Sequence, residues 1–218
     1  MTTAVLTRPL ADCQRLSKLL QDQGIPHITL PIIEVTPLPE SQFSPLPSIS
    51  PDTIVIFVSA NAVRWGLPKI KVALDQVDNC QVIAVGKKTR DTLAISGIEA
   101  QVPESADSEG LLHMPALAAV ERSDVLIVKG EGGRDLLGKE LTARGARVVE
   151  WSCYRRVWPD VSLSALDAFA HHALVFQASS GEVLSRLSEL LAGAGKRDLF
   201  QSTVIVPSER VAAMAESS

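Results

Sequence analysis

The chain has 218 residues and a mass of 23.4 kDa, room for one large or two small domains. Hydrophobic residues make up 46% and charged residues 21%, which excludes global disorder, and no apolar run approaches the ~18 residues of a membrane span. With 21 Lys+Arg against 25 Asp+Glu the net charge is −4, so no general attraction for nucleic acid is encoded. Cys13, Cys80 and Cys153 are odd in number, far apart and without CxxC spacing. They argue against a disulfide framework or a zinc site and for a reducing cytosol. The start, Ala4-Val5-Leu6-Thr7-Arg8-Pro9 after Met-Thr-Thr, has no basic leader or long apolar core, and no secretory signal is expected.

The first β-branched run, Ala4–Thr7, predicts a strand, and Pro9 suits the first turn of a helix. Leu10, Cys13, Leu16, Leu19 and Leu20 keep helical spacing up to Gly24, a good C-cap. Leu30 to Pro39 is extended and punctuated by Pro31, Pro37 and Pro39, which forbid a helix. Pro45, Pro47 and Pro51, with serines between them, mark a solvated connector. Further strands are predicted at Thr53–Val58, Val82–Val85, Asp124–Val128, Ala173–Phe176 and Thr203–Val206, each followed by a turn and a helical pattern. Alternating strands and helices define an α/β fold with parallel sheets.

A weak internal repeat adds an organisation. At an offset of 121 residues Gly24 meets Gly145, Arg8 meets Lys129, Leu16 meets Leu137, Leu20 meets Leu141, and Val85-Gly86 meets Val206-Pro207. Phe57-Val58-Ser59 meets Phe176-Gln177-Ala178 at 119, a slip that a loop absorbs. Any two βαβ units share some of this likeness; the order of the matches favours two similar lobes. The counterpart of the first extended stretch is Val148 to Pro159, so the chain is expected to leave lobe 1, build lobe 2 and return. Lobe 1 would hold residues 1–30 and 160–218, lobe 2 residues 50–147, and segments 31–49 and 148–159 would link them. Continuing the offset places Gly97-Ile98 at 218–219, so lobe 1 is expected to lack a C-terminal strand and helix that a longer natural chain would supply.

In open parallel sheets, ligands bind beyond the carboxyl ends of the strands, where helix N-termini point their amides. The turns there are Thr7-Arg8-Pro9, Ser59-Ala60-Asn61, Gly86-Lys87-Lys88-Thr89, Lys129 to Arg134, Ala178-Ser179-Ser180-Gly181 and Pro207-Ser208-Glu209-Arg210. Ser, Thr, Asn and Gly belong at helix N-caps in any case. Six such turns together, in an acidic chain, suit an anionic ligand held by N–H groups, hydroxyls and a few cations. Gly130-Glu131-Gly132-Gly133-Arg134 lacks the Gly-Lys-Ser/Thr ending of a P-loop and the GxGxxG spacing of a dinucleotide turn. His27, His113, His171 and His172 form no metal-ligand pattern, and His171-His172 is expected exposed before a strand. Arg155-Arg156 fits a solvated strand edge as well as a ligand contact. Tyr154, the single tyrosine, lies in the return crossing, where a phenol would face an interlobe cleft; a packing residue with a satisfied hydroxyl is the other reading.

Taken in order, several motifs resemble the uroporphyrinogen-III synthase family along essentially the whole chain. They are Val5-Leu6-Thr7-Arg8-Pro9, Leu30-Pro31-Ile32-Ile33-Glu34 and Phe57-Val58-Ser59-Ala60-Asn61-Ala62-Val63, then Ala84-Val85-Gly86-Lys87-Lys88-Thr89 and Ser108-Glu109-Gly110-Leu111-Leu112. Gly130-Glu131-Gly132-Gly133-Arg134, Tyr154-Arg155-Arg156 and Pro207-Ser208-Glu209-Arg210-Val211-Ala212 complete the set. The resemblance implies two flavodoxin-like parallel-sheet lobes joined by a two-stranded antiparallel β linker. It implies a cofactor-free, cytoplasmic, monomeric enzyme of haem, sirohaem, cobalamin or chlorophyll synthesis, with no nucleic-acid or membrane partner. Its substrate would be hydroxymethylbilane, a linear tetrapyrrole with eight carboxylates, and its product uroporphyrinogen III. By motif, Tyr154 is the catalytic candidate, and Arg8, Ser59, Asn61, Gly86, Thr89, Ser108, Glu109, Gly110, Ser179, Ser180 and Ser208 are the substrate-binding candidates. Relatives usually carry Ser or Thr at the Ala178 position, which leaves Ser179 and Ser180 both open.

The implied chemistry needs no strong nucleophile. An electron-rich pyrrole expels its own hydroxymethyl oxygen; water leaves ring A, the substituted carbon of ring D attacks, and a spiro intermediate fragments and recloses with ring D inverted. A ~100-fold preference over spontaneous closure needs only about 2.7 kcal/mol of differential transition-state stabilisation, which two or three aimed hydrogen bonds supply. A non-catalytic two-lobed sensor of a small anion would present the same lobes and turns; only the enzyme would convert hydroxymethylbilane.

Overall fold

A computed structural model describes residues 1–133 and 135–216; Arg134 of the glycine-rich turn and Ser217–Ser218 lie outside the described residues. The elements run β1 (Thr2–Leu6), α1 (Leu10–Asp22), β2 (His27–Thr29), β3 (Glu34–Pro37), β4 (Thr53–Phe57), α2 (Ala60–Asp75), β5 (Gln81–Ala84) and α3 (Lys87–Ala94). They continue with α4 (Ser108–Leu112), β6 (Asp124–Gly130), α5 (Leu136–Ala143), β7 (Arg147–Val157), β8 (Ala173–Gln177), α6 (Gly181–Gly193), β9 (Thr203–Ile205) and α7 (Glu209–Glu216). The chain divides into two compact units, residues 1–34 with 157–218, and residues 35–156.

The first unit carries a sheet in the order β2-β1-β8-β9, parallel throughout. Its core gathers Val5, Leu30, Ile32, Phe176, Leu184, Leu187 and Leu191. The spacing of Val183, Leu184, Leu187 and Leu191 puts one face of α6 onto the sheet. Gly24, at φ +65°, ends α1 in the left-handed region that a residue with a Cβ resists.

The second unit carries a sheet in the order β3-β7-β6-β4-β5, with β5, β4, β6 and β7 parallel. Every residue of β4 is buried, as the unbroken run Thr-Ile-Val-Ile-Phe requires of a strand covered on both faces. Alternation splits that run: Val55 and Phe57 join Val63, Leu67 and Ile70 of α2, while Ile54 and Ile56 join Leu111, Leu117, Leu137 and Leu141 on the other face. Gly66 lets α2 close onto the sheet, since a Cβ there would sit 2.5 Å from Val128 Cγ1.

Matched by position in the sheet, β2, β1, β8 and β9 correspond to β7, β6, β4 and β5. Gly145 repeats the role of Gly24, ending α5 at φ +86°. Segment 148–157 is part of β7, which lies between β6 and β3 in the strand order. One expectation changes. The proline-serine connector is not simply solvated: Phe43 stacks on Trp151 at 5.2 Å, Ser44 accepts from Trp151 Nε1 at 3.1 Å, and Ile49 packs on the core. Its apolar residues Phe43 and Ile49 pack on the Trp151 cluster and leave water with it.

Candidate active site

Both sheets reverse their strand order at one point, between β1 and β8 in the first unit and between β6 and β4 in the second. Crevices for ligands form at the carboxyl ends of strands beside such a switch. In the first unit that edge holds Thr7 and Arg8 after β1, and Gln177 to Ser180 at the end of β8. Arg8 Nε donates to Gln177 Oε1 at 3.1 Å, and the Thr7 hydroxyl donates to the Gln177 carbonyl. Gln177 was not singled out in the sequence, because a glutamine at a strand end carries no signal until its neighbour across the sheet is known.

Ser180 caps α6, its Oγ accepting from Val183 N–H at 3.3 Å, and Ser59 caps α2 in the same way, accepting from Ala62 N–H at 2.9 Å. The two caps are 121 residues apart, so Ser180 is the counterpart of Ser59, and the slip in the repeat lies between Phe176 and the cap. Ser179 precedes the cap and is half-buried. Ser208 is exposed, and its carbonyl opens α7 by accepting from Val211 and Ala212.

In the second unit, Ser59 Oγ lies 3.1 Å from Tyr154 Oη. The Tyr154 ring is 3% exposed and packs in the α2-side core, so the packing reading describes the ring and the hydrogen bond describes its hydroxyl. Asn61 is half-buried in the first turn of α2. Gly86 starts α3, where a Cβ would stand 2.8 Å from Ala106 Cβ, and Thr89 is buried one turn later. Ser108, Glu109 and Gly110 open the short α4, whose cap is Asp107: its carboxylate accepts from Gly110 N–H at 2.6 Å and from Ser105 Oγ at 2.7 Å. Asp before Ser-Glu-Gly is itself a cap signal, and the sequence reading passed over it. Gly110 has no room for a Cβ against the Ser105 carbonyl.

Other residues stand apart. His172 is half-buried rather than exposed, because Nδ1 bonds Thr3 Oγ1 at 2.7 Å and the ring meets Phe169 edge-on. Arg155 reaches Gln42 Oε1 at 3.4 Å. Lys129, the repeat counterpart of Arg8, turns back into the sheet and pairs with Glu150 at 2.7 Å. Burial pushes the thiols of Cys13 and Cys153 up to about 11 and about 12, so neither is a nucleophile at neutral pH. Among the described residues, no three His, Cys, Asp or Glu side chains group as a metal site would require.

Capping hydroxyls and helix N-termini at the carboxyl edges of two parallel sheets place the chain in the α/β class. The sequence matches the family described as Uroporphyrinogen-III synthase HemD over residues 14–218. It is 30% identical to the uroporphyrinogen-III synthase of Escherichia coli K12, over 97% of this chain and 89% of that one, and 29% identical to that of Salmonella typhimurium LT2 over the same shares. The fold resembles a mutant uroporphyrinogen III synthase of the extreme thermophile Thermus thermophilus, with a TM-score of 0.63 at 15% identity, covering 100% of this chain and 88% of that one. It also resembles uroporphyrinogen-III synthetase of Helicobacter pylori 26695, with a TM-score of 0.57 at 16% identity, covering 100% and 99%. The chain belongs to the uroporphyrinogen-III synthase family. It is thus an enzyme of tetrapyrrole biosynthesis, which sets the non-catalytic sensor aside. No helix among the described residues is long and apolar enough to cross a membrane.

Proposed function

We propose that in the cyclisation of hydroxymethylbilane to uroporphyrinogen III, Tyr154 donates the proton that carries the ring A hydroxyl away as water. The observation that carries this reading is the 3.1 Å contact between Tyr154 Oη and Ser59 Oγ at the N-terminus of α2. Ser59 already accepts from Ala62 N–H, so its own proton is free to point at Tyr154 Oη. Tyr154 then accepts from Ser59 and keeps its proton for the departing oxygen, in a chain of donors that polarise one another. As the C–O bond breaks, its electron pair takes the phenolic proton. The charge left on Tyr154 faces the Ser59 hydroxyl and the positive end of the α2 dipole. A phenol is protonated at neutral pH and brings no charge into the site. The pyrrole supplies most of the driving force, so the group assists rather than enables.

The remaining candidates divide by unit. Arg8, Ser179, Ser180 and Ser208 on the first, with Ser59, Asn61, Gly86, Thr89, Ser108, Glu109 and Gly110 on the second, take the substrate carboxylates and the ring edges. Segments 31–49 and 148–159 serve as the two-stranded linker of this reading. The chain works as a monomer in a reducing cytosol, for which its three free cysteines speak.

Fresh hydroxymethylbilane, incubated with the protein, oxidised and resolved by chromatography, should give isomer III; isomer I alone at the spontaneous rate overturns the reading. Tyr154→Phe should lower kcat by roughly ten- to a thousandfold at unchanged thermal stability, on the scale of one lost acid. Equal turnover returns Tyr154 to packing alone.

A further inference from the structure

The register between β6 and β7 slips where the strands reach the site. Lys129 pairs with Ser152, but Gly130 pairs with Tyr154, leaving Cys153 as an extra residue on β7. Side chains alternate along a strand, and Trp151 and Cys153 both point to the α2 side, where they pack with Ala62, Val63 and Leu67. Tyr154, next in line, would fall on the opposite face in a regular strand. It joins the same α2-side cluster instead. An inserted residue bends its strand and re-aims the side chains that follow, and here it turns the tyrosine toward the cap of α2.

The slip is held from both strands. Cys153 Sγ donates to the Lys129 carbonyl at 3.4 Å, and Glu131 N–H donates to the Tyr154 carbonyl at 2.8 Å. Room for the ring comes from Gly130. A Cβ there would stand 2.5 Å from Tyr154 Cε2, 2.6 Å from Cζ and 3.0 Å from Cδ2, so the ring rests on the bare backbone of β6. Gly130 needs to be glycine for the sake of the ring, since its backbone is not among the left-handed positions.

We infer that Gly130 and the one-residue bulge opposite it are the positioning device of Tyr154: they seat the ring so that its hydroxyl meets Ser59. The inference rests on the reading of Tyr154 as proton donor, but it concerns a different residue and a different property. Gly130 touches neither the leaving group nor the carboxylates in this scheme; it fixes the angle from which the phenol acts. A misplacement of about 1 Å in a donor's place can cost on the order of a hundredfold in rate.

Because Tyr154 is the only tyrosine, its ring can be watched by itself. Protein labelled with carbon-13 at the tyrosine ζ position gives one resonance from the native fold, and thermal unfolding reports stability on the same samples. Gly130→Ala should shift that resonance and lower kcat at least tenfold with KM changed less than threefold. In the Tyr154→Phe background the same substitution should cost less than threefold in kcat, since no hydroxyl is left to aim. Ser59→Ala should also shift the resonance, and Ser59→Thr, which keeps a hydroxyl at the cap, should bring it back. If Gly130→Ala does not fold, the Ser59 pair of variants decides: an unmoved resonance in Ser59→Ala overturns the inference. A wild-type resonance and kcat in a folded Gly130→Ala overturn it too, as does an equal loss in the presence and absence of the Tyr154 hydroxyl. Should Tyr154→Phe itself turn over normally while Gly130→Ala shifts the resonance, the donor role has failed and the seating of the ring has not.

Discussion

Glu150→Gln should destabilise the second unit far more than Lys129→Met, although both remove the same ion pair. Lys129 Nζ meets Glu150 Oε2 at 2.7 Å, with the lysine side chain 11% exposed and the glutamate 34%. At an effective dielectric near 20 the direct attraction is about 6 kcal/mol, most of which offsets the desolvation of the ammonium. Removing the carboxylate strands a cation inside the sheet, whereas removing the cation leaves a carboxylate that water already reaches. Breaking a fully buried pair costs about 3–5 kcal/mol, and the hydrated glutamate lowers this to about 2 kcal/mol for Glu150→Gln. Lys129→Met fills the lysine's volume with apolar atoms and should stay within about 1 kcal/mol. For a unit of this size, 2 kcal/mol lowers the melting temperature by roughly 6–10 °C. Tryptophan fluorescence weights the signal toward this transition, because Trp65 and Trp151 belong to residues 35–156 and pack on their core, and a Trp158→Phe background, which removes the one tryptophan of the other unit, isolates it. Equal losses, or a larger loss for Lys129→Met, would refute the asymmetry and the burial argument behind it.

Gly66→Ala places a Cβ 2.5 Å from Val128 Cγ1 and 3.0 Å from Cys153 Sγ, and should cost about 1–3 kcal/mol in urea unfolding despite alanine's better helix propensity; a neutral result means α2 has slack. In native protein at pH 8, Cys80 should be alkylated well before Cys13 and Cys153, since a thiol at about 11 is only about one part in a thousand thiolate there. Mass spectrometry of timed samples checks the order, and simultaneous labelling of all three contradicts it. Arg147 donates two hydrogen bonds to Asp124, at 2.7 and 2.8 Å, and chiefly through them holds its carboxyl below the ordinary 3.8. The folded value is depressed, so the pair's contribution is present above 3.8 and lost as pH falls through the folded value. Arg147→Gln should therefore flatten the acid limb of the stability curve while changing stability at pH 7 little, as an exposed pair allows; an unchanged acid limb speaks against it.

Much of this architecture is legible along the chain. The apolar runs at Thr53 and Asp124 become strands because nothing but a sheet covered on both faces buries them, the run at Ala173 becomes one buried at alternate residues, and Gly24 and Gly145 mark helix ends by their positive φ. The caps Ser59 and Ser180 stand 121 residues apart, but the repeat as read along the chain lays Ser59 on Ala178 at 119, so which of Ser179 and Ser180 caps α6 is not legible there. What escapes are the features fixed by register between distant strands. Neither the bulge that turns Tyr154, nor the Lys129–Glu150 pair, nor the bond from Thr3 to His172 has a periodicity to announce it. Each exists only once two strands have chosen their alignment, and a run of β-branched residues accepts several. The candidate binding turns were readable because capping chemistry is local; the aim of the one phenol among them was not.

The pairing of β1 with β8 has a consequence in time. Thr3 and His172, which bond one another, are 169 residues apart, whereas every strand from β4 to β7 lies within residues 53–157. On a ribosome adding about 5–20 residues per second, β1, α1 and β2 would wait roughly 7–30 s for β8 to emerge. During that interval the second unit can close its own sheet, but Val5, Leu30 and Ile32 have no Phe176 or Leu187 to pack against. The earliest part of the chain to be made is thus the last to find its core, and β1 spends the wait with an unpaired edge open to other strands. The vulnerable species in synthesis is a chain with a finished second unit and a naked N-terminal βαβ arm, and chaperone capture of nascent chains should centre on residues 1–34.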